Sequence, residues 1–228
     1  RIYDWNGSAW AQRGSDIDGE AAGDNSGQSV SLSKDSDTVA ISAPLNDGGG
    51  TNAGGLRIYD WNGSAWTQRG SDIDGEDSDW CGNEVSNGND SNTVAFSCKD
   101  NGGNGTGPGT VRIYDWNGSA WAKKGSDIDG EASSDQAISV SISDDGKTVI
   151  MGAYGNDGNG TNSGHARIYD WDSSAWTQRG SDIDGEAAGD QSGYQVDISD
   201  DGNTVAIGAR NNDGNGESAG HVRIYDWN

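Results

Sequence analysis

The sequence is poor in the residues that usually build a hydrophobic core. Only 29 of its 228 residues are Leu, Ile, Val or Phe, and it holds a single Phe and a single Met. Combined with a strong net charge, such a composition is typical of disordered chains. No segment places apolar residues at helical spacing, and no apolar run is long enough to cross a membrane as a helix. Helical and membrane-spanning folds are therefore not expected.

Other features of the composition favour a folded chain. Ten Trp and seven Tyr supply large apolar area. The Val and Ile residues lie in short alternating runs, which is the pattern of half-buried strands. The 38 glycines cluster between those runs, where turns are expected. The sequence thus predicts an all-β protein.

The charge of the chain is strongly one-sided. Acidic residues outnumber basic ones 37 to 14, which gives a formal charge of −23. Such a surface repels phosphate backbones and attracts cations, so nucleic acid is not an expected partner. The chain shows no signal peptide and no initiator Met, which predicts a processed form, a fragment or a window onto a longer chain.

An internal repeat organises the whole sequence. The string RIYDW recurs at intervals of 56, 55, 55 and 56 residues, beginning at Arg1, Arg57, Arg112, Arg167 and Arg223. We predict one repeat domain over residues 1–228. Its repeats are approximately 1–56, 57–111, 112–166 and 167–222, with a spare strand at 223–228.

Each repeat is interpreted as four short strands, represented by GYQVDIS, TVAIGA, HVRIYDW and SAWTQRGSDI. Asn-Gly separates the last two strands in three copies and predicts a two-residue hairpin turn. Such a turn at Asn6-Gly7 would place Tyr3 opposite Trp10 as a cross-strand aromatic pair. Four antiparallel strands in about 55 residues are typical of a propeller blade. We therefore predict a β-propeller of four four-stranded blades. The alternatives are an open, solenoid-like stack of the same repeats and part of a larger propeller.

Two strand pairs carry a resemblance to a known family. SGQSVSLS with TVAISAP (26–44) and SGYQVDIS with TVAIGAR (192–210) resemble the FG-GAP repeats of integrin-α-type β-propellers and of many secreted proteins. The resemblance covers essentially the whole chain and implies a propeller fold and an extracellular location. It says little about activity, because propellers have many functions. The family's DxDxDG calcium loop is replaced by turns such as KDSD, so calcium is not expected at that turn.

Acidic loops elsewhere are the candidate metal sites. Each repeat carries DIDGE, and its long loop carries a further Asp; clustered carboxylate and carbonyl oxygens are the ligands that calcium prefers. The alternative is that these residues only form turns through side-chain-to-backbone bonds. Calcium is the only cofactor predicted, and its candidate ligands are Asp16, Asp18, Asp47, Asp72, Asp74, Asp127, Asp129, Asp157, Asp182, Asp184 and Asp213.

The repeated aromatic and histidine residues have structural and functional interpretations. Exposed Trp at repeated positions would favour sugar stacking, whereas buried Trp would form the core between blades, which we favour. His165 and His221 occupy equivalent places at a strand start. With no second His or Cys nearby, we interpret each as a hydrogen-bonded polar residue rather than a metal ligand.

The cysteines and glycosylation motifs favour an oxidising compartment. Cys81 and Cys98 fall on adjacent strands, within one pair of facing each other, and predict a disulfide; the alternative is two reduced, buried thiols. The sequence therefore predicts a secreted or cell-surface protein. The motif N-x-S/T makes candidate N-glycosylation sites of Asn6, Asn62, Asn89, Asn104, Asn117 and Asn159.

Repetition argues against catalysis, because an active site needs unique residues that converge in one cleft. We therefore predict a non-enzymatic, extracellular structural or scaffold protein, a unit of a fibre or longer surface array. The alternative is an adhesive or lectin-like carbohydrate-binding module that depends on calcium. The expected partners are further copies of the chain, other extracellular proteins, or glycans.

Overall fold

The structure, a computed structural model, describes residues 1–89, 91–100 and 107–228. Within these residues it is all-β: every strand pair in the sheets is antiparallel, and no helix is present that could cross a membrane. The all-β prediction is confirmed. The strands form a two-stranded hairpin, three five-stranded sheets and one three-stranded sheet.

The chain begins with an N-terminal hairpin and continues into sheet 1. The hairpin consists of β1 (Tyr3–Trp5) and β2 (Trp10–Gln12). Sheet 1 has the order β3-β4-β5-β6, and the short β7 also pairs with β5. Its strands are β3 (Val30–Leu32), β4 (Thr38–Ala43), β5 (Gly55–Trp61), β6 (Trp66–Gln68) and β7 (Ile73–Asp74).

Sheets 2 and 3 repeat this order, and sheet 4 has its first three strands. Sheet 2 comprises β8 (Cys81–Asn87), β9 (Thr93–Cys98), β10 (Thr110–Trp116), β11 (Trp121–Lys123) and β12 (Ile128–Asp129). Sheet 3 comprises β13 (Ala137–Ile142), β14 (Thr148–Ala153), β15 (His165–Trp171), β16 (Trp176–Gln178) and β17 (Ile183–Asp184). Sheet 4 comprises β18 (Ser192–Ile198), β19 (Thr204–Ala209) and β20 (His221–Asp226).

The hairpin register differs from the prediction. Trp5 lies opposite Trp10, and Tyr3 lies opposite Gln12 rather than Trp10. The connection is a four-residue loop, in which the Asn6 N–H donates to the Ala9 carbonyl at 3.0 Å. The Asn6 side-chain oxygen also accepts the Ala9 N–H at 2.9 Å, a bond that a two-residue turn does not provide. The resulting Trp–Trp pair has ring centroids 5.6 Å apart.

The predicted fourth strand is interrupted by a glycine. In sheet 1 its two pieces are β6 and β7, and both pair with β5. Between them, Gly70 adopts φ +76°, a conformation that other residues rarely take. A Cβ at this position would lie 2.7 Å from the Trp116 ring of the next sheet. The glycine is therefore required both by the backbone bend and by the close approach of the neighbouring repeat.

The hydrophobic core is divided among the interfaces between consecutive sheets. Leu56 and Ile58 of sheet 1 pack with Val85 and Phe96 of sheet 2. Equivalent clusters join sheet 2 to sheet 3 and sheet 3 to sheet 4. A chain with so few aliphatic residues can fold in this way because each interior sheet buries two faces against its neighbours.

Hydrogen bonds also connect the first strands of consecutive sheets. The backbone N–H of Val85 donates to Ser29 Oγ at 3.2 Å, and the N–H of Val196 donates to Ser139 Oγ at 2.9 Å. Small hydroxyl residues thus take part in contacts between sheets as well as between strands. Contacts also join sheets that are not consecutive. Lys34 Nζ, in the turn after β3 of sheet 1, lies 3.2 Å from carboxylate oxygens of Asp144 in sheet 3 and Asp200 in sheet 4, so the turns that follow the first strands of these sheets converge.

Candidate functional site

The aspartates of the long loops act as turn formers. Asp47 Oδ1 accepts the backbone N–H of Asn52 at 2.7 Å. Asp157 and Asp213 accept the corresponding N–H groups at 2.8 and 2.7 Å. These bonds are the side-chain-to-backbone contacts expected of Asx-type turns.

The aspartates of the DIDGE segments contribute in two ways. The first aspartate of each segment contacts a neighbouring polar or basic side chain: Asp16 with Arg1, Asp72 with Gln68, Asp127 with Lys123, and Asp182 with Gln178. The second aspartate offers its carbonyl oxygen to an arginine in three segments, as Asp18 to Arg57, Asp129 to Arg167, and Asp184 to Arg223. Much of the DIDGE segment therefore serves contacts within and between repeats.

Asp74, the second aspartate of the DIDGE segment at 72–76, lies close to other carboxylates in sheet 1. Burial raises the pKa of Asp74, and the negative charges of Asp72 and Glu20 raise it further. The same acidic residues and Asn46 line a small crevice at the start of β5. Gly55, the first residue of β5, leaves this crevice without a side chain at its centre.

Sheet 3 places a histidine in the corresponding crevice. Glu131, His165 and Asp182 form the one group of three metal-ligating residue types that converge among the described residues, with ligand atoms within 4.8 Å of one another. Asp182 is the only member among the predicted calcium ligands. Glu131 was not among the predicted ligands, and His165 was predicted to have no ligand role. The sequence does contain both residues in recognisable places, the Glu at the end of DIDGE and the His at a predicted strand start. No local pattern indicates, however, that Glu131 and His165, 34 residues apart, lie close together in the fold.

His165 corrects the prediction of a hydrogen-bonded histidine. Its side chain is fully buried at the first position of β15, yet neither ring nitrogen has a hydrogen-bond partner among the described residues. Burial lowers the pKa of His165, and the Arg167 guanidinium lowers it further. The imidazole is therefore neutral at pH 7.

The disulfide prediction is confirmed. Cys81 and Cys98 form a bond between directly opposed positions of β8 and β9, and both residues are fully buried. Arg112 lies beside the bond and pairs with the buried carboxylate of Asp79 at 2.9 Å. The disulfide thus fixes the end of sheet 2 where its one deeply buried ion pair, among the described residues, is located.

A tryptophan connects each sheet to the preceding fourth strand. Trp66, Trp121 and Trp176 donate their indole N–H groups to the carbonyls of Arg13, Arg69 and Lys124 at 2.8, 2.9 and 2.8 Å. In each case the basic side chain of the acceptor residue lies over the ring of the donor tryptophan. These three tryptophans thus connect repeats as partly buried residues, not as the buried core that the sequence favoured. Trp5, Trp10, Trp80 and Trp227 are exposed.

The outer apolar faces of the first and last sheets are exposed. Val30 of sheet 1 is 61% exposed, whereas the equivalent Val140 of sheet 3 is 2% exposed. Ile224 of sheet 4 is 69% exposed, whereas the equivalent Ile113 of sheet 2 is 1% exposed. We call the exposed side of sheet 1 the front face (Val30, Leu32 and Ile41) and the exposed side of sheet 4 the back face (Val222 and Ile224).

A cavity of about 190 Å³ lies at the edge of sheet 4, between Arg179, Gly180 and Trp227. In the other sheets the same space beside the basic residue and the glycine is occupied by the fourth-strand tryptophan, as Trp121 is beside Gly70. The front face borders a second groove, which the N-terminal hairpin covers in part through Tyr3 and Trp10.

The glycosylation motifs lie in different surroundings. Asn6, Asn62 and Asn117 occupy the exposed hairpin loops. Asn159 lies in an exposed part of a long loop, but its Nδ2 donates to the Gly185 carbonyl at 3.0 Å, a bond that a glycan would displace. Asn89 is partly buried, and its Nδ2 donates to Asp144 at 2.7 Å, so a glycan there would displace a contact between sheets. Asn104 lies outside the described residues.

Comparison with one solved structure supports the fold. The chain is similar to hydrazine synthase of Kuenenia stuttgartiensis, with a TM-score of 0.57 and 16% identity over 95% of this chain and 49% of that one. TolB of Acinetobacter baumannii is also similar, with a TM-score of 0.49 and 17% identity over 87% of this chain and 40% of that one. The chain thus spans about half the length of the structures that it resembles.

Comparison with known sequences identifies the repeat. No curated protein matches the chain significantly. The family model of the FG-GAP repeat matches residues 16–59, which run from the first DIDGE segment through β3 and β4 into β5. The resemblance indicated by the sequence is confirmed over residues 16–59, the part of the chain that the family model matches.

Proposed function

We propose that this protein is a non-enzymatic, extracellular structural scaffold whose sheets are propeller-type blades and whose copies associate end to end. The observation that carries the proposal is the exposure of the front and back faces at positions that are buried in the interior sheets. Inside the chain, such faces are covered by the neighbouring repeat. The occupant that fits each exposed face is therefore a further repeat, and for the 228-residue chain by itself we propose that a second copy supplies it.

The front and back faces are complementary in their apolar residues. At the interface between sheets 3 and 4, Ile168 packs with Val196 and Ile198. The back face carries Ile224 at the position of Ile168, and the front face carries Val30 at the position of Val196. Docking the two faces would repeat an interface that the molecule already contains.

Strand exchange gives this association a specific geometry. The sequence RIYDW occurs at 1–5, which includes β1, and at 223–227, which overlaps β20. β2 can therefore pair with β20 of a second copy in the register in which it pairs with β1. Sheet 4 would then gain its fourth strand. Trp10, which is largely exposed on β2, would fill the cavity beside Arg179 and Trp227. Such addition of a strand to an open sheet edge is a recurrent mode of association.

An extracellular setting is consistent with the disulfide and with the FG-GAP repeat. Buried disulfides persist in oxidising compartments and are rare in the cytosol. The exposed glycosylation motifs at Asn6, Asn62 and Asn117 are accessible to modification in a eukaryotic secretory pathway.

The net charge gives the proposed assembly a distinct salt dependence. Two copies that each carry a formal charge of −23 repel one another, and added salt screens this repulsion. Association through apolar faces should therefore strengthen as ionic strength rises. An interface held by charge pairs would instead weaken.

Sedimentation velocity on the 228-residue chain tests the proposal. We expect concentration-dependent growth from monomer to linear oligomers at moderate salt. Ile224→Asp, which places a charge in the back face, should leave only monomer, and the matched exposed variant Asn228→Asp should assemble like the wild type. A chain that remains monomeric at all concentrations, whether because its ring closes on itself or because its faces stay free, contradicts the proposal.

A further inference from the structure

The crevice at the start of β15 contains a buried side chain without a partner. His165 has no accessible surface, and both of its ring nitrogens lack hydrogen bonds among the described residues. Burying an imidazole without hydrogen bonds is unfavourable, because its polar atoms lose their contacts with water. Sheets 1 and 2 have Gly55 and Thr110 at the equivalent position, so the buried imidazole is not required to form this part of the sheet.

Two carboxylates face the unpartnered ring. His165 Nδ1 lies 3.7 Å from Asp182 Oδ2 and 3.9 Å from Glu131 Oε2. These distances are too long for hydrogen bonds. Ligand atoms that share one ion at bond lengths of about 2.0–2.2 Å in near-tetrahedral geometry lie about 3.3–3.6 Å apart. The two distances from His165 Nδ1 are close to this range, and all three ligand atoms lie within 4.8 Å of one another, so rotation of the partly exposed Glu131 side chain would bring them onto one ion.

The remaining atoms of both carboxylates hold the residues in position. Asp182 Oδ1 accepts a hydrogen bond from Gln178 Nε2 at 2.6 Å, which leaves Oδ2 directed to the ring. Glu131 Oε1 lies 3.7 Å from Arg167 Nη1, while Oε2 is the oxygen nearest to His165. Glu131 Oε2 also accepts a hydrogen bond from Asn156 Nδ2 at 3.4 Å, and a carboxylate oxygen has a second lone pair that can bind an ion. Polar contacts within the protein therefore hold both carboxylates in place beside the ring.

The ligand chemistry identifies the class of ion. Imidazole nitrogen combined with two carboxylates suits first-row transition metals such as Zn²⁺, whereas calcium and magnesium prefer oxygen ligands alone. The side chain of Glu131 is 49% exposed, so water can reach the site and complete the coordination. We propose that Glu131, His165 and Asp182 bind one divalent transition-metal ion at the edge of sheet 3.

The neighbouring repeats serve as internal controls. Sheets 1 and 2 retain the same pair of carboxylates, Glu20 with Asp72 and Glu76 with Asp127, but lack the histidine. In sheet 4, His221 Nδ1 approaches Glu186 at 3.8 Å, and no third ligand joins them within the described chain. The proposed site is thus specific to sheet 3, and a second, weaker binding event at His221 is distinguishable by substitution.

Calorimetric titration with Zn²⁺ tests the site. The chelator-treated protein, with its disulfide intact and in enough salt to suppress binding to the acidic surface, should take up one equivalent of Zn²⁺. His165→Thr, which introduces the residue type that sheet 2 carries as Thr110, should weaken this binding at least about tenfold. Asp182→Asn should do the same without changing the buried ring. His221→Thr should leave the first equivalent unchanged.

Co²⁺ supplies an independent readout of the same ligands. Coordination by His165 should give visible absorption bands that are absent in His165→Thr and shifted in Asp182→Asn. Circular dichroism checks that each variant is folded. Because Asp182 is partly exposed, we expect Asp182→Asn to fold even if His165→Thr does not. The proposal is overturned if wild-type protein binds no stoichiometric Zn²⁺, if Asp182→Asn binds it unchanged, or if calcium competes equally well.

Discussion

Equivalent residues of the interior and terminal sheets differ chiefly in whether a neighbouring sheet packs against them. Ile113 in β10 and Ile224 in β20 occupy the same register position, opposite Ala95 and Ala206. The first is 1% exposed and the second 69% exposed. The same repeat sequence therefore builds a core where a neighbour is present and an apolar surface where none is.

This difference shows that the stability of each sheet depends on its neighbours. Stability in stacked repeats is close to a sum of repeat and interface terms. The faces at the ends are thus interfaces that the described chain leaves uncovered, and they carry the proposed function. Interior and terminal substitutions should have opposite consequences for folding and for assembly.

The largest contrast is expected for truncation of the paired isoleucines. Ile113→Ala should lower the free energy of unfolding by about 2–5 kcal/mol, because it leaves a cavity between sheets 2 and 3. Ile224→Ala should change it by less than about 0.5 kcal/mol in dilute protein, because its side chain is already in water. Urea unfolding followed by Trp fluorescence measures both. Equal losses for the two variants would show that the back face is covered in the monomer.

Removal of the disulfide should have the next largest effect. Cys81→Ala with Cys98→Ala should lower the free energy of unfolding by about 3 kcal/mol, because the unfolded chain regains the entropy of a 17-residue separation. Sheet 1 has Ser26 and Ala43 at the corresponding positions and folds without a crosslink. An unchanged unfolding midpoint would indicate that sheet 2 gains nothing from the bond that sheet 1 lacks.

A smaller contrast concerns the tryptophan that connects sheets. Trp121→Phe removes the hydrogen bond to the Arg69 carbonyl and should lower the free energy of unfolding by about 1 kcal/mol. Trp10→Phe should not alter monomer stability, because Trp10 is exposed. It should nonetheless weaken assembly if Trp10 enters the cavity of a second copy. Thermal unfolding together with sedimentation of both variants decides the matter.

The smallest expected effect is the contribution of His165, in sheet 3, to the pH dependence of the free energy of unfolding. The pKa of His165 is lowered in the folded state, so the folded protein binds fewer protons than the unfolded chain. The stability that this residue contributes is present above the ordinary histidine pKa of about 6.5 and is lost as pH falls toward the folded value. Unfolding measured in metal-free buffer from neutral to mildly acidic pH should show a slope that His165→Thr reduces. Identical slopes would contradict a buried, neutral His165.

The repeat and its alternation were sufficient to predict an all-β stack with cores between sheets, since both follow from local pattern. The hairpin register was predicted wrongly, because the Asn6 side chain caps a longer loop than the Asn-Gly pair suggests. The break at Gly70 in the fourth strand was also not predicted, because the glycine is required by close contact with the Trp116 ring of the next repeat. Local sequence carries little information about such contacts between repeats.

The candidate site was predicted in part. The disulfide could be placed because its two cysteines lie on adjacent strands of one hairpin. The aspartates of the acidic loops could be found by composition, but not their partners. The approach of His165 to Glu131 and Asp182 depends on how β15 meets the loops on either side of it, which only the folded arrangement of the sheet shows.

Disulfide trapping tests the proposed strand exchange most directly. In the hairpin, Gln12 lies opposite Tyr3, and Tyr225 is the counterpart of Tyr3 on β20. Oxidation of the Gln12→Cys, Tyr225→Cys double variant should yield a ladder of covalent oligomers on a non-reducing gel. The Tyr3→Cys, Gln12→Cys variant, whose hairpin is locked, should remain monomeric. A monomer crosslinked within itself in the first variant, or no crosslink at all, would contradict end-to-end assembly.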